Sequence, residues 1–395
     1  MSPLPLQGVR VVDLSRVLAG PFATMRLADL GADVVKIEPP GGDEARAFGP
    51  PFVQGEGGAE SVYFLSVNRG KRSLVLDLRR AEDRELLHAL VAGADLLVSN
   101  FRPGVLERLG LDPQRLIERH PRLIVCRISG FGPDDPRPGY DNVIQAMSGI
   151  PAMTGAPDGP PVRCGASIGD LVGGLNTVQA ILAALLNRER TGRGCLVDLS
   201  LLDGLLELLV YHAVAWVEEG QAPRRSGEAH PTVHPLRTYR TLDGNMAVAV
   251  GNDTLFAALA QALQRPELAT DPRFAGNPGR VQHRAALDDL LEPIFAGAST
   301  SAWVARLQAA GVPVGPVRSV PEALADATLV EHDHPHGGRT VKTLAAPWSL
   351  DGARPVAARG APALDGDRRS ILEGWPDGVS ATVGAVASSS PANKA

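Results

Sequence analysis

Residues 9–37 read VRVVDLSRVLAGPFATMRLADLGADVVKI, and this stretch decides the fold. Residues 9–13 form a short apolar run that is typical of a buried strand, and residues 33–37 form a second one. Between them, residues 21–30 carry apolar side chains at helical spacing. A strand, a helix and a strand in this order predict a βαβ unit, with its two strands parallel in one sheet.

The alternation of strands and helices continues downstream. Residues 73–77, 95–98 and 123–128 each predict a strand, and residues 81–92 predict a charged helix. The sequence therefore predicts an α/β fold with a Rossmann-like large domain on a parallel sheet, and a ligand outside the carboxyl ends of its strands. Two further helices are expected, over residues 171–188 and 201–218.

A chain of 395 residues is too long for one ordinary core, so two domains are expected. Residues 236–250 predict a hairpin that turns at Asp243-Gly244, as in a smaller α+β domain. We assign residues 1–224 to the large domain, 225–320 to the small domain and 321–379 to a segment that returns to the large domain. Residues 380–395 are rich in Ala, Ser and Pro and predict a disordered tail.

Charge and cysteine content exclude several classes of protein. The formal net charge of −5 gives no general attraction to nucleic acid or to an anionic membrane. The three cysteines form neither a disulfide framework nor a zinc spacing, and the alternating His332, His334 and His336 lack partners at metal-ligand spacing. With no signal-peptide pattern and no apolar run of about 18 residues, we expect a cytoplasmic enzyme without a metal.

Asp170 is the leading candidate for a catalytic residue. It lies in Gly165-Ala-Ser-Ile-Gly-Asp170-Leu-Val-Gly-Gly174, just ahead of the apolar helix. It can cap that helix, or act as a nucleophile whose ionised form a helix N-terminus favours. Gly173 and Gly174 each cost roughly 1 kcal/mol inside a helix, so either a packed strand or a ligand is expected to approach them closely.

Many segments resemble the class III CoA-transferases, the family of formyl-CoA, carnitine and dicarboxylate CoA-transferases. They cover almost the whole chain outside the tail. The segments are Asp13-Leu-Ser-Arg-Val-Leu-Ala-Gly-Pro-Phe22, Gly31-Ala-Asp-Val-Val-Lys-Ile-Glu38, Asn68-Arg-Gly-Lys-Arg-Ser73, Asn100-Phe-Arg-Pro-Gly104, Gly139-Tyr-Asp141, Gln145-Ala-Met-Ser-Gly149, Gly169-Asp170, Thr191-Gly-Arg-Gly194, Asp243-Gly244, Gly251-Asn252 and Gly311-Val-Pro-Val-Gly-Pro316.

The resemblance implies that Asp170 attacks an acyl-CoA thioester and passes through a mixed anhydride to an aspartyl-CoA thioester. An acceptor carboxylate then reverses both steps. CoA thioester is the substrate, no cofactor is bound permanently and no metal is needed, because a thioester is already activated. The resemblance further implies an interlocked homodimer, with small-molecule acids and acyl-CoA as partners. Glycines near Gly251 would contribute to oxyanion binding or gate access.

CoA carries phosphates, so basic residues are expected around it. Any one of them alone is more readily interpreted as a solvated surface charge, although the position of Lys71 and Arg102 in family-like segments weakens that interpretation. Together with backbone and polar groups in the family-like segments, the expected CoA contacts are Val17, Ala19, Lys71, Arg72, Asn100, Arg102, Arg108, Tyr140 and Asp141. Asp141 alternatively has a structural or water-orienting role.

Departures from the family pattern bear on specificity. Leu18 replaces a glutamine of the formyl-CoA transferases, and Pro138-Gly139 replaces a basic residue, which disfavours formyl and oxalyl groups. The racemases of 2-methylacyl-CoA carry a histidine base where Tyr140 stands, and a tyrosine with a pKa near 10 is a poor substitute. A racemase is therefore disfavoured.

The loop that contains Arg224, Arg225, His230 and His234 is similar to members of the family that act on dicarboxylates. It could hold a distal carboxylate, or it could be a packed interface loop. The resemblance favours succinyl-CoA as the donor and glutarate, itaconate, mesaconate or citramalate as the acceptor. A carnitine-type or formyl-type transferase stays open.

Two other functions compete. A nucleotide-dependent oxidoreductase would use the first βαβ unit with Glu38 at its end, yet residues 14–20 lack the Gly-x-Gly-x-x-Gly pattern for a pyrophosphate. A catalytically inactive CoA-binding protein is the second alternative, and the presence of Asp170 argues against it.

Overall fold

The computed structural model describes residues 4–375, so the expected tail at 380–395 lies outside the described residues. The chain forms two compact units. The first comprises the chain up to Ile150, Cys164–Ala213 and the chain from Thr328 onward, and the second comprises Pro151–Arg163 and Val214–Ala327.

Both units contain strands and helices. The strands are β1 (Arg10–Asp13), β2 (Asp33–Glu38), β3 (Phe52–Gly55), β4 (Gly58–Ser61), β5 (Lys71–Val75), β6 (Leu96–Ser99), β7 (Ile124–Ser129), β8 (Leu196–Ser200), β9 (Leu236–Arg240), β10 (Asn245–Ala249), β11 (Val314–Pro316), β12 (Leu329–Asp333) and β13 (Thr340–Leu344).

The helices are α1 (Ala19–Asp29), α2 (Val62–Val67), α3 (Ala81–Ala92), α4 (Val105–Arg108), α5 (Pro113–Arg119), α6 (Asp141–Met147), α7 (Ile150–Met153), α8 (Ile168–Thr191), α9 (Leu201–Glu207), α10 (Val210–Glu219), α11 (Asp253–Ala262), α12 (Asn277–Gln282), α13 (Arg284–Ala296), α14 (Thr300–Ala309), α15 (Val320–Ala325) and α16 (Arg368–Gly374). Short 3-10 helices span Glu44–Ala47 and Pro266–Ala269.

A six-stranded parallel sheet with the order β5-β2-β1-β6-β7-β8 organises the first unit, which confirms the predicted α/β fold. Its strands are largely buried on both faces because helices cover both, with one core cluster on each side. The chain moves outward from β1 to β2 and β5, then returns to β6 on the other side. The boundary between β1 and β6 is thus a topological switch point, where a ligand crevice is expected.

Helix α8 crosses this unit and packs closely on its neighbours. A Cβ atom added to Gly174 would lie 2.8 Å from the Ala19 carbonyl oxygen, and one added to Gly173 would lie 2.2 Å from Leu201. The close approach that these two glycines predict is therefore made by α1 and by the start of α9, not by a ligand. Gly192 ends α8 in the left-handed conformation at φ 72°, which a glycine adopts without strain.

The expected single helix over residues 201–218 is two helices. A turn at residues 208–209 separates α9 from α10, and Val210, the first residue of α10, has φ 40°, in the left-handed region. No glycine or proline marks this break in the sequence. Strand β8 was also missed, because its short apolar run is continuous with the apolar start of α9.

By length and composition alone, α8 could cross a membrane, which is a weak indication within the described residues. Ile181, Ala184 and Leu185 of α8 belong to the core cluster on one face of the sheet. On that side, the apolar residues of α8 are those of a core helix.

The second unit is built on a three-stranded antiparallel sheet with the order β11-β10-β9. Strands β9 and β10 form the predicted hairpin, with Tyr239 opposite Met246 and a turn at residues 241–244. Phe256, Phe295 and Trp303 fill its core.

Candidate active site

A cavity of about 510 Å³ opens at the carboxyl ends of the parallel strands. The loops after β1, β6 and β7 and the start of α8 form its wall, so it lies at the switch point between β1 and β6. Its lining includes Arg16, Val17, Leu18, Ala19, Glu44, Asn100, Phe101, Arg102, Arg137, Tyr140 and Asp170. The structure therefore brings Asp170 together with five of the nine residues expected to contact CoA.

Asp170 is the third residue of α8, and Ser167 is the N-cap, so the capping role considered for Asp170 is wrong. Burial raises the pKa of Asp170 to about 7, and the nearby charge of Asp141 adds to the effect. The helix N-terminus was expected to favour the ionised carboxylate, but burial and a like charge outweigh it. Near neutral pH the side chain is therefore present both as acid and as poorly solvated carboxylate.

Asp141 fixes the turn that leads into α8. Its Oδ1 accepts a hydrogen bond from the Gly169 N–H at 2.8 Å, and its Oδ2 accepts one from Gln145 Nε2 at 2.8 Å. Gln145 also donates to the Ala166 carbonyl at 3.1 Å and accepts from the Cys164 N–H at 2.9 Å. Asp141 does not line the cavity. Its hydrogen bonds therefore support the structural role that was the alternative to the expected contact with CoA.

The loop after β1 is held from several directions. Val17 has φ 66°, which is uncommon for a β-branched residue, and the Asp43 carboxylate accepts a hydrogen bond from its N–H at 3.1 Å. Asn100 accepts from the Arg16 N–H at 2.8 Å and donates to the Arg16 carbonyl at 2.7 Å. Lys36, fully buried, pairs with Asp43 at 2.8 Å. The cavity wall at Val17 and Ala19 is therefore preorganised.

Lys71 and Arg72 are structural, which corrects two expected phosphate contacts. The Lys71 ammonium is fully buried and donates to Asp13 Oδ2 at 3.1 Å, the Pro21 carbonyl at 2.9 Å and Asn68 Oδ1 at 2.8 Å. Burial lowers its pKa to about 8, although Asp13 opposes the shift. Arg72 donates to Asp33 at 3.0 and 2.6 Å. Neither side chain lines the cavity.

Three arginines do line the cavity: Arg16, Arg102 and Arg137. Arg102 was expected there, whereas Arg16 and Arg137 were missed. Arg16 falls inside a family-like segment, and Arg137 lies one residue before Pro138, so a basic residue near Tyr140 is retained after all. Arg108 is exposed on α4 and is not part of the lining. The three guanidinium groups can meet the phosphates of CoA.

Tyr63 lies outside the cavity lining but within reach of the charges of the site, and the sequence did not reveal it. Burial raises its pKa to about 12, and the charges of Asp170, Asp141 and Asp43 add to the effect. Its phenol therefore keeps its proton at any physiological pH and can donate a hydrogen bond. The surrounding Val62-Tyr-Phe-Leu65 reads as an ordinary apolar helix, so no motif identifies it.

Glu38 is not available to a nucleotide ribose. It is buried, accepts two hydrogen bonds from Arg46 at 2.8 Å and a third from Ser73 at 2.7 Å. The oxidoreductase alternative thereby loses the acidic residue on which it depended.

In the second unit, the loop with Arg225 and His234 is packed against its own surroundings. Arg225 donates to the carbonyl groups of Ala152 and Ala156 at 3.1 and 3.2 Å. His234 is fully buried, with Nε2 at 3.2 Å from Asp288 Oδ1. These contacts favour the packed-loop alternative for both residues. Gly251 is exposed in the same unit, and its role in access stays a prediction.

Among residues 4–375, no group of three His, Cys, Asp or Glu side chains is arranged to hold a metal ion. In the region of the three alternating histidines, the His334 Nδ1 atom accepts a hydrogen bond from the His336 N–H at 3.1 Å.

Comparison with known proteins gives consistent matches. The family described as CoA-transferase family III matches residues 6–368. Acetyl-CoA:oxalate CoA-transferase of Acetobacter aceti is 45% identical over 324 residues, 81% of this chain and 82% of that protein. Succinyl-CoA:glutarate CoA-transferase of Mus musculus is 39% identical over 345 residues, 85% and 78% of the two chains. A crystal structure of a CAIB/BAIF family protein from Brucella suis is 40% identical with a TM-score of 0.84, covering 94% of this chain and 99% of that one.

Proposed function

The chain belongs to CoA-transferase family III, and from this membership we propose that it transfers CoA from an acyl-CoA donor, succinyl-CoA first, to a short dicarboxylic acid. The observation that carries the proposal is the half-buried Asp170 carboxyl group, with its raised pKa, in a cavity lined by three arginines. Family III enzymes use CoA thioesters as substrates, so the arginines are assigned to the phosphates and Asp170 to the acyl carbon.

In the proposed reaction, a carboxylate oxygen of Asp170 attacks the thioester carbonyl carbon, the C–S bond breaks and CoA leaves as a thiolate. The thiolate then attacks the aspartyl carbonyl carbon of the mixed anhydride. The anhydride C–O bond breaks, which releases the donor acid and leaves an aspartyl-CoA thioester. An acceptor carboxylate repeats the two steps in reverse and regenerates the Asp170 carboxylate. No net proton is consumed.

Two features of the site support this chemistry. Burial that raises the pKa of Asp170 to about 7 also makes its ionised form more basic, and so a stronger nucleophile. Tyr63 keeps its proton beside these carboxylates, so it is available to stabilise negative charge that develops on the acyl oxygen.

The acceptor class rests on the names of relatives. Glutarate and oxalate are both dicarboxylic acids, and they appear in the names of the two relatives above. We retain glutarate, itaconate, mesaconate and citramalate as proposed acceptors and add oxalate, which Leu18 and Pro138 had disfavoured. A carnitine-type or formyl-type transferase is the second candidate.

We also retain the proposal of a homodimer. Leu175, Leu182 and Leu186 of α8 are exposed, and α10 has no buried residue although it contains Trp216 and Val217. Exposed apolar patches of this kind mark interaction surfaces, and a second copy of the chain is the proposed partner. Light scattering on the purified protein is expected to give the mass of a dimer, and Leu182→Glu is expected to lower it.

Peptide mass spectrometry after incubation with succinyl-CoA and hydroxylamine tests the mechanism. A hydroxamate or CoA adduct is expected on the peptide that contains Asp170. Asp170→Asn should abolish it, whereas Asp203→Asn, a carboxylate in the first turn of α9, should leave it intact. No adduct with succinyl-CoA, acetyl-CoA or any other acyl donor would contradict aspartyl transfer. Exchange of deuterium at the α-carbon of a 2-methylacyl-CoA would then point to the racemase alternative.

A further inference from the structure

A second cavity of about 520 Å³ adjoins the first. Leu18 lines both cavities, and Ser167 and Leu171, on either side of Asp170 in the chain, line the second one. Apolar side chains of α1 and α2 and residues 341–344 of β13 supply much of the remaining wall. An acyl group on Asp170 therefore has a largely apolar cleft near it, distinct from the cavity with the three arginines.

The wall of this second cavity carries a positive charge at Arg26 that Asp29 compensates only in part. Both oxygens of the nearby Asp29 are already engaged by Arg69, whose Nε and Nη2 atoms donate to Oδ1 and Oδ2 at 2.8 and 2.7 Å. The Nη1 atom of Arg26 lies 3.7 Å from Asp29 Oδ2 and is buried without a hydrogen-bond partner among residues 4–375. Two guanidinium groups thus share one carboxylate.

No acidic residue among the described lining residues balances this charge. Lys342, also in the lining, is already paired with Glu331 at 2.8 Å and is largely exposed. A buried donor without a partner costs roughly 1–3 kcal/mol, and more when it is charged, so Arg26 is set to bind an anion that enters the cavity.

The position of Arg26 suits a short diacid. Phe22 and Arg26 are four residues apart on one face of α1, and Leu18 is the N-cap of that helix, four residues before Phe22. The Arg26 guanidinium lies over the Phe22 ring at 5.0 Å from its centroid, as expected for a helical side chain that leans toward the N-terminus. It is therefore about one turn, about 5.4 Å along the helix, from Leu18, where the two cavities meet.

We propose that Arg26 is a specificity-determining residue that binds the distal carboxylate of the dicarboxylic acid while the reacting carboxyl group lies at Asp170. The inference rests on the proposed function, because it requires an acyl group at Asp170. The apolar wall contacts the methylene groups, and the guanidinium fork binds the far carboxylate in two hydrogen bonds. A monocarboxylic acid leaves Arg26 unpaired and is rejected for that reason.

Arg26→Gln tests this assignment, with glutarate and pentanoate as acids of the same chain length. Calorimetric binding to the resting enzyme and steady-state kinetics are expected to show a tenfold or greater rise in Kd and KM for glutarate. The values for pentanoate, as acceptor or as competitor, should change less than threefold. Arg26→Lys should be intermediate, and Lys342→Gln, which removes the other flexible cation of the wall, should have little effect.

Equal changes for both acids, or none, would overturn the assignment, as would an equal loss in Lys342→Gln. Thermal melting identifies a variant that fails to fold, and Arg26→Lys, which retains the charge, then carries the test. Formation of the Asp170 adduct from acetyl-CoA separates the two levels of the proposal. It should be unchanged in Arg26→Gln. The absence of an adduct in the wild type with every acyl donor would contradict the proposed function, while the binding comparison still decides the role of Arg26.

Discussion

The Oδ1 atom of Asp141 accepts a hydrogen bond at 2.8 Å from the backbone N–H of Gly169, the residue that precedes Asp170. One carboxylate thereby fixes the turn that presents the other. The same proximity places two negative charges near each other, and after burial this is the second cause that raises the pKa of Asp170. Asp141 therefore has two effects on the nucleophile: it fixes the position of Asp170, and it increases the basicity of the Asp170 carboxylate.

The pH dependence of adduct formation should report this coupling. Because the pKa of Asp170 is raised to about 7, the attacking carboxylate is scarce below that pH, and the rate should rise through about 7 and then level off. Asp141→Asn keeps an oxygen that can accept from Gly169 but removes the charge, so the rise should move to lower pH. Rapid-quench measurement of the Asp170 adduct checks both profiles.

Asp135→Asn is the matched control, since Asp135 pairs with Arg137 and should leave the midpoint unchanged. A wild-type rate that is already constant between pH 5 and 9 would contradict the raised pKa.

The raised pKa also predicts that Asp170 lowers the stability of the fold. Its folded pKa of about 7 lies above the unfolded value of 3.8, so the free energy of unfolding falls as pH rises between these values. Asp170→Asn has no such dependence. It should therefore increase the free energy of unfolding by about 1–3 kcal/mol above pH 7 and by nearly nothing below pH 4. Urea denaturation at the two pH values measures this, with Asp203→Asn expected to show no such difference.

Much of this architecture could be predicted from local pattern. The parallel sheet follows from short apolar runs that alternate with helices, and the location of the cavity follows from the switch point of that sheet. Asp170 stands out because a carboxylate among glycines precedes a long apolar helix. These features depend on neighbours in the chain.

The features that could not be predicted depend on contacts between residues that are far apart in the chain. Asp141 and Gly169 are 28 positions apart, and nothing local indicates that they are hydrogen-bonded. Lys71 and Arg102 both lie in basic, family-like segments, yet Lys71 points into the core from strand β5 whereas Arg102 follows β6 into the cavity. The sequence shows that such a residue is charged, but it does not show whether the fold places its side chain in the core or in the cavity.

The packing of α8 on α1 gives a prediction for Gly174. A Cβ atom there would meet the Ala19 carbonyl oxygen at 2.8 Å and Phe22 at 2.9 Å, and a backbone oxygen cannot move aside cheaply. Gly174→Ala should therefore lower the free energy of unfolding by about 1–3 kcal/mol, despite the better helix propensity of alanine. In the control Gly204→Ala, the new Cβ makes only ordinary contacts of 3.4 Å or more, so stability should stay level or rise. Equal effects in chemical denaturation would contradict the packing argument.

Substitutions of Lys71 and Arg102 should have different effects, the first on the stability of the fold and the second on binding of the substrate. Removing the Lys71 ammonium leaves the buried Asp13 without one of its two nearby lysines, so Lys71→Met should cost about 3–5 kcal/mol of stability. Arg102→Gln removes an exposed charge from the cavity and should leave the melting temperature unchanged while it raises the KM for acyl-CoA severalfold. The exposed Arg108, outside the cavity lining, is the matched control, and Arg108→Gln should alter neither quantity. If instead Lys71→Met folds normally and only its KM for acyl-CoA rises, Lys71 binds CoA and the structural role assigned to it is wrong.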